Sequence, residues 1–66
     1  MKITVNNDLL DVGEGVTVEK LIESLGFQHY QLAVAINNRI VSKTKWQLTS
    51  LHENDNIIII KAVSGG

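Results

Sequence analysis

The sequence predicts an α+β domain, a mixed five-stranded sheet packed on one main helix in the order β-β-α-β-β-β. Three observations carry that expectation. One stretch alone, around residues 18–25, repeats its apolar side chains with a clear helical period. Residues 1–5 (MKITV) alternate apolar and polar, as a half-buried strand does. Residues 32–36 (LAVAI) and 57–63 (IIIIKAV) are apolar on both faces, apart from Lys61, as strands in a sheet interior are.

The elements follow in order. After the first strand, Asn6-Asn7-Asp8 is turn chemistry, because Asn and Asp tolerate left-handed backbone. Residues 9–12 (LLDV) return as the second arm of a hairpin, and Gly13-Glu14-Gly15 ends it. Val18, Leu21, Ile22 and Leu25 then form one apolar helical stripe. Thr17 is placed as N-cap, Glu19 puts an anion in the first turn, and Val16 and Leu21 are spaced for a hydrophobic staple. Gly26 is the expected residue just past the helix, with Phe27 folding back on Ile22.

Residues 32–36 make an interior strand, Asn37-Asn38 a tight primed hairpin turn, and residues 39–41 a short returning strand. Ser42 stands where it can cap a helical turn through Trp46, itself expected as packing at the core edge. Residues 53–56 are another turn before the final strand, 57–63. The first and last strands are both candidates for the sheet interior, and a hairpin-helix crossover makes their parallel pairing natural. That arrangement is a β-grasp. Residues 1–66 are expected to be a single domain with a flexible tail at 64–66.

Composition narrows the function. A chain of 66 residues buries only about 60% of its unfolded surface. With no Cys, neither a disulfide nor a thiolate zinc site can reinforce it, and His29 and His52 lack metal-ligand spacing. Stability must come from the apolar 44%. A net charge of −1 and three scattered aromatics argue against nucleic-acid binding. No apolar run approaches a membrane span of about 20 residues. The N-terminus reads as a strand and not as a signal peptide, so a cytoplasmic location is expected, or an organelle stroma for a plastid-encoded chain.

Catalytic sets are missing. Ser24, Ser42, Ser50 and Ser64 sit in no nucleophile elbow. Asp8 and Asp11 read as a solvated turn and strand face, and Gly13-Glu14-Gly15 lacks the rest of a phosphate loop. His52 beside Glu53 reads as exposed loop, and so small a domain has little room for a pocket of about 300 Å³. The expectation is a chain that is not an enzyme and binds no cofactor. What remains is the sequence end. Ser64-Gly65-Gly66 is either a frayed terminus or a thin strip of backbone that slides into another protein's active site and delivers an α-carboxylate.

Two stretches bear on that choice. Ala35-Ile36-Asn37-Asn38-Arg39-Ile40-Val41, followed by Trp46, resembles the AxN-x-x-IV…W segment of the ThiS family, the sulfur carriers of thiamine biosynthesis. Asn54-Asp55-Asn56-Ile57 and Ala62-Val63-Ser64-Gly65-Gly66 resemble that family's D-G-D-x-I turn and AVxGG end, with Asn54-Asp55-Asn56 standing for D-G-D. Ser42-Lys43 replaces the usual Pro-Arg pair.

The resemblance implies a ubiquitin-like fold. It implies that the Gly66 carboxylate is adenylated by a ThiF-type adenylyltransferase using ATP and Mg. It implies conversion to a thiocarboxylate with sulfur from a cysteine desulfurase, and delivery to thiazole synthase (ThiG). Gly65 and Ser64 would be the tail. By analogy with ubiquitin-like proteins, Ile57 and Ile59 face the helix, leaving Ile58, Ile60 and Ala62 as an outward partner-binding patch. The reverse parity stays open, because Lys61 shares a face with Ile59. Alternatives are the small subunit of molybdopterin synthase, a modifier forming isopeptide bonds through Gly66, and an interaction domain with an idle tail.

Overall fold

A computed structural model describes residues 1–28 and 30–61. The elements are β1 (Lys2–Val5), β2 (Asp8–Asp11), α1 (Val18–Ser24), β3 (Leu32–Ile36), β4 (Arg39–Val41), a 3₁₀ helix (Lys43–Leu48) and β5 (Asn56–Lys61). The sheet order is β2-β1-β5-β3-β4, with β1 and β5 parallel and every other pair antiparallel. This is the expected β-grasp, with the last strand at its centre.

The turns explain the register. Asn6 and Asn7 take φ 51° and 72°, and Asn37 and Asn38 take 49° and 71°. Both pairs therefore make primed turns whose twist matches the flanking strands. The first turn is Asn6-Asn7, so Asp8 already belongs to β2, one residue earlier than its turn chemistry implied.

Helix α1 is capped as its sequence demands. The Thr17 hydroxyl accepts from the Lys20 N–H at 3.2 Å. The Val18 N–H goes to the Thr49 carbonyl at 3.0 Å, so the loop after the 3₁₀ helix satisfies a second free donor. Gly26 has φ 76°, its N–H reaches the Glu23 carbonyl, and the Phe27 N–H reaches the Ile22 carbonyl, a Schellman ending.

The core lies between one sheet face and α1. It gathers Ile3, Val5, Val34, Ile57 and Ile59 from the sheet, Val18, Leu21 and Ile22 from the helix, and Trp46 and Leu51. Trp46 is buried, as expected, and donates its indole N–H to the Val41 carbonyl at 3.1 Å. Among the described residues no polar or charged residue is buried.

One expected motif shifts. The left-handed residue in the last turn is Asn54, φ 69°, and Asp55 has no positive φ. The position needing glycine-like freedom is therefore Asn54. The D-G-D-x-I frame falls on Glu53-Asn54-Asp55-Asn56-Ile57, one residue earlier than the resemblance placed it.

Candidate functional site

Strand β5 leads toward the tail and is held from both sides. On one side the Asn6 carboxamide behaves as an extra residue of β1. Its Oδ1 accepts the Ile59 N–H at 2.8 Å, and its Nδ2 donates to the Ile59 carbonyl at 3.1 Å. On the other side Asn37 accepts the Asn56 N–H at 3.0 Å, donates Nδ2 to Asp55 at 3.0 Å, and sends its backbone N–H to the Asn56 carbonyl. The two Asn-Asn pairs read as turns in the sequence, but the first asparagine of each also clamps β5. Sequence reasoning missed this second role, which needs the fold to bring residue 6 beside 59 and residue 37 beside 56.

The end of β5 has its own anchor. The Lys61 ammonium lies 4.6 Å from the Phe27 ring centre and 4.9 Å from that of Tyr30. The rings meet edge to face, 6.1 Å apart. Lys61 is on the helix-side parity with Ile57 and Ile59, but α1 stops at Ser24 and the Phe27–Tyr30 pair stands past its end. That resolves the parity left open by the sequence. Ile57 and Ile59 are buried, and Ile60 is 61% exposed.

The outward face is apolar where β5, β3 and β4 meet. Ile58 lies opposite Ala35, which lies opposite Ile40, and Ile60 lies opposite Ala33. The alanines are too short to cover their neighbours, so Ile40, at 84% exposed, joins the expected patch of Ile58 and Ile60. Sequence reasoning passed over Ile40, although its alternation with Val41 across the Asn37-Asn38 hairpin was a usable signal. Ala62, Ser64, Gly65 and Gly66 lie outside the described residues.

Grooves are roomier than expected. One of about 410 Å³ is lined by Gln31, Leu32, Ala33, Lys43 and Ile60, beside the end of β5. Another of about 430 Å³ includes Ser50, His52 and Asp55. That trio does not make a catalytic set. His52 Nδ1 stands 3.9 Å from Asp55, beyond hydrogen-bond reach, and the Asp55 carboxylate accepts from the His52 backbone and from Asn37. Asp11 and Asp8 are likewise no acid pair, since Asp11 turns to the Met1 amino group at 3.3 Å and Asp8 is exposed. Among the described residues no helix is long and apolar enough to cross a membrane.

The sequence model of the ThiS family matches residues 1–66. The chain belongs to the ThiS family. Over its whole length it is 30% identical to the full sulfur carrier protein ThiS of Escherichia coli. It is also 33% identical to a segment covering 20% of a thiazole synthase of Magnetococcus marinus, and 29% identical to a like share of one from Paramagnetospirillum magneticum. Its fold matches a crystal structure of the thiamine biosynthesis protein ThiS from Geobacter metallireducens, with a TM-score of 0.84, 23% identity and full coverage of both chains. Among the described residues the sheet is that of a ThiS β-grasp, with β5 at its centre and the outward isoleucines on β5 and β4.

Proposed function

We propose that this chain is a sulfur carrier of thiamine biosynthesis and acts through the carboxylate of Gly66. The observation that carries the reading is a ThiS-family β-grasp whose central strand, clamped by Asn6 and Asn37, points its sequence into Ser64-Gly65-Gly66. Five residues follow Lys61, with a covalent reach of at most about 18 Å. That is enough to carry a terminal carboxylate well away from the domain surface. Glycines at the end let it enter a channel too narrow for side chains.

The chemistry belongs to partners. A ThiF-type adenylyltransferase, using ATP and Mg, joins the Gly66 carboxylate to AMP and releases pyrophosphate. A persulfide made by a cysteine desulfurase then attacks the acyl-adenylate and displaces AMP, and a thiol reduces the resulting acyl disulfide, leaving a thiocarboxylate at Gly66 and a disulfide on the sulfur donor. Thiazole synthase takes that sulfur; in support, a segment resembling this whole chain occurs inside chains named thiazole synthase. The chain itself binds no cofactor in this scheme and offers partners Ile58, Ile60 and Ala62. Because the backbone terminus holds the sulfur, a chain without Cys has no side-chain thiol to compete for it.

Deleting Gly66, or adding one residue after it, tests the reading through ATP–pyrophosphate exchange on the activating enzyme. Folding is expected to persist and exchange to vanish. Normal exchange from either variant overturns the reading.

A further inference from the structure

We infer that Lys43 is a specificity-determining cation of the carrier surface, and that it pairs with a carboxylate of the activating adenylyltransferase seated beside Ile60. The inference rests on the carrier reading above and names the charge chemistry of its docking partner.

The charges of this chain are segregated. Between Glu23 and Glu53 it carries Arg39, Lys43 and Lys45 and no Asp or Glu. Lys2 and Lys20 are set among Asp8, Asp11, Glu14, Glu19 and Glu23. The half of the sequence between Glu23 and Glu53 is thus cationic, although the fold brings Asp55 into the groove with Arg39 and Glu19 and Glu23 into a cleft with Lys43. Within that half, Lys43 alone lines the groove of about 410 Å³ formed with Gln31, Leu32, Ala33 and Ile60. Lys43 also borders a smaller cleft containing Glu19 and Glu23, yet no ion pair to either forms, while Lys20 takes Glu23 at 3.9 Å. Lys43 makes no salt bridge among the described residues.

An apolar groove with one uncommitted ammonium at its rim fits a specific surface, an apolar side chain with a carboxylate next to it. A rim charge of this kind governs encounter and selects against wrong partners, because like charges facing each other are strongly unfavourable. Its influence falls with ionic strength. The groove adjoins Ile60, two residues before the proposed contact Ala62, so the same docking that brings the tail to the enzyme brings the partner's carboxylate to Lys43.

The test is the carrier KM and kcat for ATP–pyrophosphate exchange, measured across a salt series. Lys43→Glu is expected to raise KM about tenfold at low salt with kcat nearly unchanged, the gap closing as salt rises. Lys43→Arg is expected to hold the wild-type KM. Lys45→Glu carries the same net-charge change outside the groove and is expected to shift KM less. Melting curves of all three should match the wild type, since Lys43 is exposed and the first turn of a helix tolerates an acid. Equal KM for Lys43→Glu and wild type, or equal effects of Lys43→Glu and Lys45→Glu, overturns the inference alone. Absence of exchange from the wild type overturns the carrier reading and this inference with it.

Discussion

The carboxamide of Asn6 hydrogen-bonds both backbone groups of Ile59, at 2.8 and 3.1 Å, across 53 residues of sequence. The same residue makes the hairpin turn, with φ 51°. One asparagine thus joins the end of β1 to the middle of the strand that leads to the tail.

Asn6→Ala removes both bonds and places a Cβ-bearing residue without a polar side chain at positive φ. The expected loss is about 2–3 kcal/mol. Asn6→Gly keeps the backbone freedom and loses only the bonds, about 1–2 kcal/mol. Thermal melts check this, at about 4–8 °C per kcal/mol for a domain of this size. Equal melting temperatures for wild type and Asn6→Gly would show that the carboxamide contributes nothing.

The Lys61 anchor predicts a coupling. A double-mutant cycle with Lys61→Met and Phe27→Leu is expected to give about 0.5–1 kcal/mol of interaction energy, the range of an exposed cation–π contact. Strict additivity of the two changes would show that the ammonium gains nothing from the ring.

Ile59 and Ile60 are neighbours with opposite duties. Ile59→Ala empties part of the core and is expected to destabilise by about 2–4 kcal/mol, a large share of what so small a domain has. Ile60→Glu lies on the outward face and is expected to change stability by less than about 1 kcal/mol while weakening binding to the activating enzyme. Calorimetry for folding and titration for binding separate the two. A large stability loss for Ile60→Glu with unchanged binding of the folded fraction would place the partner surface elsewhere.

Much of this architecture was legible because several local signals agreed. Thr17, the Val18–Leu21–Ile22 stripe and Gly26 each marked α1 independently, and the structure uses every one. The last strand was harder. Four consecutive isoleucines carry no alternation, and Lys61 on the helix-side parity looked like a contradiction. It is resolved by a long-range contact, the Phe27–Tyr30 pair, which no periodicity reveals. The turn frame slipped by one because Asn54, Asp55 and Asn56 are all turn formers, and only the backbone shows which one is left-handed. The outward patch was partly visible in Ile58 and Ile60, but Ile40 joins it through strand pairing, which is a property of the fold.

The central claim is that Gly66 carries sulfur, and the intact mass of the chain tests it most directly. The chain is incubated with ATP-Mg, a ThiF-type adenylyltransferase and a sulfur donor, then weighed whole and as peptides. The account predicts a gain equal to sulfur replacing oxygen, confined to the C-terminal peptide. An unchanged mass, with the same enzyme preparation shown active on another carrier, would contradict it and direct attention to isopeptide conjugates through Gly66.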